Sequence, residues 1–216
     1  MYKNVKVTLP KIPAVLEKGS FRDIYNDDDF TLMNCEITGE TIEDIEVDQA
    51  IVSKVVFRNV TFTNASLPRI DLTDVTFDNC DLSNVNFNEG IIHRVKFIDC
   101  KLMGTDFSEA NLGNVLFENS RAHFSSYVDT RLKQVEFKST SLQNANYHGC
   151  QFTKTTFVQC DLNEVNFVQS RLNGVDISTC YFERLHVDFE TLEGCIVSQE
   201  QAIGFAKLLG LKVADK

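Results

Sequence analysis

The sequence predicts an all-β solenoid, a coil of very short strands closed by one short C-terminal helix. Three observations carry that reading. Apolar side chains recur at every fifth residue, the small residue two places before them repeats with a period of twenty, and turn-forming residues stand two places after them.

The first observation is plainest in CDLSNVNFNEGIIHRVKFIDCKLMGTDF, residues 80–107, where Leu82, Phe87, Ile92, Phe97, Leu102 and Phe107 are five apart. A helix turns about 100° per residue, so a step of five carries apolar positions around its whole surface. In a strand an odd step sends successive members to opposite faces. A chain that turns a corner every five residues avoids both problems, because each segment then directs its middle side chain to one common axis. Counting in fives from Leu32 to Leu192 gives 33 positions, of which 32 are Leu, Ile, Val, Phe or Tyr; Ala122 is the exception. Self-similarity at a fixed period marks a solenoid whose units bury their apolar sides by stacking on neighbours.

The second observation sets the number of segments per coil. Val55, Val75, Val95, Val115, Val135 and Val175 are spaced by twenty, with Thr155 intervening. Four five-residue segments per coil follow. On that spacing Phe57, Phe77, Phe97, Phe117, Phe137 and Phe157 form one internal column, and Leu67, Phe87, Phe107, Tyr127, Tyr147 and Phe167 the column opposite. The third observation supplies the corners: Asn34, Asn59, Asn64, Asn79, Asn84, Asn114, Asn119 and Asn144, with Gly39, Gly104, Gly149 and Gly174, tolerate the unusual dihedrals a corner needs. The one irregular stretch is SRAHFSSYVD, residues 120–129, where Ala122 takes a large residue's place and Phe124 is free to turn inward or outward.

In chain order, residues 1–29 read as an N-terminal acidic capping segment. Pro10 and Pro13 keep it from being a simple helix, and Val5, Val7, Leu9, Ile12, Val15 and Leu16 are expected over the first open coil. Residues 30–197 form the repeat coil. Residues 198–216 form the terminal helix and tail: Ser198 and Gln201 make a capping-box pattern, followed by Ala202, Ile203, Phe205, Ala206, Leu208 and Leu209 before Gly210. That is more apolar surface than one stripe needs. Ile203, Phe205, Leu208 and Leu209 are therefore expected to join two copies of the chain as a homodimer.

Composition narrows the function. The seven cysteines, Cys35, Cys80, Cys100, Cys150, Cys160, Cys180 and Cys195, all fall two places before an apolar key residue, so they read as small buried fillers rather than metal ligands or disulfide partners. His93, His123, His148 and His186 lie on four different columns, and no catalytic, metal or cofactor constellation emerges. A binding protein is expected, not an enzyme. With no apolar run of signal-peptide or membrane-span length, it is expected to be soluble and cytoplasmic. The net charge of −10 is uneven. Ten carboxylates and neither Lys nor Arg lie between Asp23 and Ser53, whereas residues 54–182 carry 14 acids and 12 bases. A second acidic group, with Asp188, Glu190 and Glu193, precedes the C-terminus.

The segments CDLSN, TDFSE, ANLGN, TSLQN, CDLNE and SRLNG resemble the pentapeptide-repeat signature, a likeness covering roughly residues 30 to 195. It implies a right-handed quadrilateral β-helix. The tail, LEGCIVSQEQAIGFAKLLGLKV, is similar to the C-terminal segment of the Qnr and MfpA type of pentapeptide-repeat protein. That resemblance implies a rod of two subunits joined end to end, with the dimensions of duplex DNA. It also implies binding to type II topoisomerases, chiefly DNA gyrase with topoisomerase IV as a second target, at the DNA-binding saddle, and protection of the enzyme from quinolones. Asp188, Glu190 and Glu193 would then face the topoisomerase near the two-fold, with no direct nucleic-acid or membrane binding. The alternative is a pentapeptide-repeat scaffold for another protein target, using the outward apolar residues Val56, Ile98, Leu116 and Val158.

Overall fold

The computed structural model describes residues 6–26, 28–208 and 210–214. The chain winds into a right-handed quadrilateral β-helix with a short C-terminal helix. Among the described residues every ladder is parallel, and all but that of Glu17–Lys18 with Cys35–Glu36, at eighteen, are in register at the interval of twenty: Phe57 pairs with Phe77, Phe77 with Phe97, Phe97 with Phe117, Phe117 with Phe137 and Phe137 with Phe157. The phase inferred from the valines is thus the phase of the coil.

The four faces differ. Faces one and two run together in the eight-residue strands Ile51–Arg58, Asp71–Asp78, Ile91–Ile98, Asn111–Glu118 and Arg131–Lys138. Faces three and four pair mostly through single bridges, such as Asp81 with Lys101 on face three and Asn86 with Asp106 on face four. Their corners are tightened by local bonds, including Val85 N–H to Leu82 O at 3.2 Å and Gly90 N–H to Phe87 O at 3.1 Å.

Inside, the phenylalanine column stacks with ring centroids 4.8 Å apart for Phe57 and Phe77 and 4.6 Å for Phe117 and Phe137. The opposite column meets it edge-on, as where Tyr127 and Phe137 stand 5.9 Å apart at 90°. Offset stacking along each column and T-shaped contact between columns satisfy the ring quadrupoles in both directions. The corner residues hold φ near +50 to +60°, as expected for Asn59 and Asn79, but so do Lys54, Arg69, Arg94 and Phe124. Stacked coils thus hold this conformation at corners occupied by residues of many types.

The cysteines are all free, and six of the seven are buried. The Cys150 thiol donates to Tyr127 O at 2.8 Å and Cys160 to Phe137 O at 3.3 Å. Thr105 and Thr130 donate from the same position to Leu82 O and Phe107 O, at 2.8 and 2.7 Å. Where the position holds Cys or Thr in these coils, its donor satisfies a carbonyl 23 residues earlier, and elsewhere Val or Ala fills it. Burial pushes the Cys150 thiol up to about 12, which leaves it an unreactive thiol at neutral pH.

The ends are closed by different means. The 3-10 helix Phe21–Asn26 buries Phe21 and Ile24 over the first coil, with Phe21 edge-on to Phe62 at 5.7 Å. Glu17–Lys18, just before it, pairs with Cys35–Glu36 on the first coil, but the earlier segment lies elsewhere than over that open coil. Residues 6–11 form a strap along the outside of the coil, on the corner between faces one and two: the Lys6 carbonyl accepts from Gln134 at 3.2 Å, Thr8 N–H donates to Asn114 Oδ1 at 3.0 Å, and Lys11 N–H donates to Asp74 Oδ1 at 2.8 Å. Three corner side chains provide partners for an extended segment, while Phe21 and Ile24 already cover the open end. Val5 lies outside the described residues.

Candidate interaction surface

The twenty-residue coil sorts the near-neutral body into faces of opposite character. Between residues 54 and 182, outward and corner positions of face one carry Lys54, Arg94, Arg131, Lys133, Lys154 and Arg171 against Asp71 and Asp74. Face four carries Glu89, Asp106, Glu109 and Asp129 against Arg69, which is ion-paired to Asp48 in the coil before. From residue 70 to residue 169 face four contains neither Lys nor Arg. Glu89, Glu109 and Asp129 occupy one corner in three consecutive coils, and all are exposed. The signal was present in their spacing of twenty, but summing charge over the whole body concealed it.

Several carboxylates serve the fold instead. Asp74 is buried, and the Arg94 guanidinium holds its carboxyl below the usual range. Glu36 pairs with Arg58 at 2.9 Å, and Glu118 with Lys138 at 2.6 Å. In the acidic N-terminal part, Glu40 Oε2 accepts from Phe21 N–H at 3.0 Å, while Glu43, Asp44, Glu46 and Asp48 remain exposed. Asp28 and Asp29 are exposed too; Asp27 lies outside the described residues.

The apolar stripe proposed for a scaffold is not a free surface. Val56 and Leu116 are buried, although neither belongs to the interior core. Both lie on face two beside the corner along which the strap runs. Ile98 and Val158 are half-buried.

At the C-terminal end, the helix Gln199–Leu208 begins with the reciprocal capping box: Ser198 N–H donates to Gln201 Oε1 at 2.8 Å, and Gln201 N–H to Ser198 Oγ at 3.2 Å. The Gln201 amide nitrogen also donates to the carbonyls of Ile177 and Cys180, at 2.9 Å each. One side chain thus starts the helix and fixes it across the last complete coil. Phe205 packs on Phe182 of its own chain at 5.9 Å, and Ile203 is half-buried. The Leu208 side chain and Leu209 lie outside the described residues. Asp188 caps a corner by accepting from Gln169 N–H at 2.8 Å, while Glu190 and Glu193 point to solvent. Around them Tyr181, Phe189, Ile196, Leu211 and Val213 expose apolar surface that the sequence reading did not single out.

Among the described residues no group of three His, Cys, Asp or Glu side chains stands close enough to hold a metal ion, and no helix is long and apolar enough to cross a membrane. His123 Nε2 lies 2.8 Å from Ser141 Oγ and His186 Nε2 2.8 Å from Glu164 Oε2, on different coils.

Comparison with known proteins agrees with this geometry. The chain matches the pentapeptide repeat region family over residues 70–147 and the family of pentapeptide repeats (8 copies) over residues 148–184. It is 49% identical over 210 residues to the Bacillus subtilis (strain 168) protein YisX, covering 95% of this chain and 97% of that one. The chain belongs to the pentapeptide-repeat family. Among solved pentapeptide-repeat structures, QnrB1, a plasmid-mediated fluoroquinolone resistance protein, is 17% identical with a TM-score of 0.39, covering 85% of this chain and 90% of its own. HetL of the cyanobacterium Nostoc, involved in heterocyst differentiation regulation, is 13% identical with a TM-score of 0.30, covering 78% and 90%.

Proposed function

We propose that this pentapeptide-repeat protein is a non-enzymatic DNA mimic that binds a type II topoisomerase, chiefly DNA gyrase, and inhibits it by occupying the surface that receives DNA. The observation that carries the reading is face four, acidic and free of Lys and Arg from residue 70 to residue 169. Adjacent strands lie about 4.8 Å apart, so the Glu89, Glu109 and Asp129 edge offers one carboxylate per coil at that spacing, against one phosphate per about 3.4 Å along a DNA strand. The edge thus has roughly 0.7 of the line charge of a single strand. A DNA-binding groove would meet one acidic edge rather than a uniformly charged rod.

The tail motif, similar to that of the Qnr and MfpA type, supports joining of two copies at their C-terminal ends. The exposed apolar residues Tyr181, Phe189, Ile196, Leu211 and Val213 support the same joint, since they leave a patch at that end to be covered. Gyrase protected from quinolones follows from the same occupancy. The test is a supercoiling assay with increasing protein. Inhibition relieved by added duplex DNA is expected; no inhibition at tens of micromolar would leave only a scaffold for some other partner.

A further inference from the structure

One pentapeptide departs from the pattern twice. At the inward position where neighbouring coils carry Leu102 and Leu142, this segment has the fully buried Ala122. Two residues later, at the corner occupied by Gly104 and Asn144 in the adjacent coils, stands Phe124, with φ 57° and 64% of its surface exposed. Each departure works against stability. A methyl group in a leucine site forfeits buried apolar contact. A phenylalanine in the left-handed region is sterically disfavoured where Asn or Gly is at ease. Its ring also stands in water, and Met103, next to the corner residue of the preceding coil, is itself 47% exposed. Folding gains nothing from moving the large side chain of this segment from inside to outside, and such costs collect where a surface has work to do.

Phe124 stands on the edge shared by faces three and four, with Met103 one coil earlier on the adjoining part of face three. Face four, on one side of it, carries Asp106 and, at its far corner, Glu109 and Asp129, while face three, on the other side, carries Lys101, ion-paired to Asp81, and the exposed Arg121. A second copy is a poor occupant, since it would set these carboxylates against their own kind, and nucleic acid is repelled by them. A cationic protein surface with an apolar recess answers both features. Exposed aromatic anchors ringed by polar contacts are what alanine scans find at the centre of protein interfaces.

We infer that Phe124, with Met103, is the apolar anchor by which the acidic face engages a protein partner, fitting a recess beside that partner's cationic DNA-binding surface. The inference rests on the topoisomerase reading and adds a contact that phosphate mimicry alone does not require. The test uses purified DNA gyrase holoenzyme and the full chain, comparing wild type, Phe124→Asn and Phe124→Leu by direct binding across a salt series, with denaturation midpoints measured alongside. Phe124→Asn is expected to weaken binding tenfold or more with an unchanged or higher midpoint, and the loss should persist at high salt because it is not ionic. Phe124→Leu should retain most of the affinity. Equal affinity of wild type and Phe124→Asn would overturn the anchor while leaving gyrase as the partner, and a lowered midpoint would assign Phe124 a structural role instead. Absence of binding by the wild type would remove both readings.

Discussion

Arg94 grips Asp74 across one coil with a two-pronged contact, Nε 2.6 Å from Oδ1 and Nη2 2.8 Å from Oδ2. Asp74 Oδ1 also accepts the Lys11 backbone N–H, so one carboxylate joins two coils and fixes the strap. Its side chain is only 5% exposed and that of Arg94 20%, which separates this pair from the surface ion pairs around it.

A pH dependence follows from that pair. The folded-state pKa of Asp74 is depressed by Arg94, so its contribution is fully present above the ordinary aspartate range near 3.9 and is lost as pH falls through the lower folded value. Asp74→Asn should cost about 1.5–3 kcal/mol at neutral pH. The gap between wild type and variant in urea midpoint should close progressively below about pH 4. A gap constant from pH 7 to pH 2.5 would mean that the pair contributes nothing through charge. Exchange of the Lys11 amide, measured alongside, should accelerate in the variant.

The internal columns give a second prediction. Phe117 stacks between Phe97 at 4.8 Å and Phe137 at 4.6 Å, and Phe117→Ala should cost about 3–5 kcal/mol. Asn119→Ala, at an exposed corner with φ 52°, should cost about 1–2 kcal/mol, from the left-handed backbone alone. Comparable midpoints for the two variants would contradict the assignment of inside and outside.

The parts of this structure that were legible in the sequence are those written by local repetition. Phe97 and Phe117 announce their contact by recurring at twenty, and Ser198 and Gln201 announce a helix start by a spacing of three. The strap was not legible. Its hold depends on Asp74, Asn114 and Gln134, each of which reads as an ordinary corner residue, binding backbone groups 63 to 128 positions away. Val56 and Leu116 were misread too: both face out of the coil, yet both are buried, beside the corner along which the strap runs. The Gln201 bonds to Ile177 and Cys180 were likewise invisible, because the capping pattern explains Gln201 without them.

The C-terminal end lets capping and the proposed self-association be tested apart. Phe205 packs on Phe182 within the chain, whereas Ile196 and Leu211 are exposed. Phe205→Asp should therefore lower the midpoint, since it places an unpaired charge against the last coil. The pair Ile196→Asp with Leu211→Asp should leave the fold intact and weaken self-association by about 30-fold or more, equivalent to about 2 kcal/mol at the joint. Light scattering across a concentration series decides it. A wild-type monomer at tens of micromolar would end the end-to-end dimer.

The last prediction compares the two acidic groups for inhibition of gyrase. Glu89, Glu109 and Asp129 stand in line on consecutive coils of a face without Lys or Arg, whereas Asp188 is committed to Gln169 N–H and only Glu190 and Glu193 beside it are free to face a partner. Glu89→Gln, Glu109→Gln and Asp129→Asn together should raise the concentration needed to inhibit supercoiling by about tenfold, roughly 1.4 kcal/mol spread over three exposed charges. Neutralising Asp188, Glu190 and Glu193 should shift it less, and part of that shift should appear as lost stability through Asp188. Because the charges are exposed, the effect of the face-four variant should shrink as salt is raised and the screening length falls below about 8 Å. Equal effects of both sets at every salt concentration would show that net charge, rather than the line of carboxylates on face four, governs the interaction. A larger effect of the C-terminal set would place the contact at the two-fold end, where the sequence alone pointed.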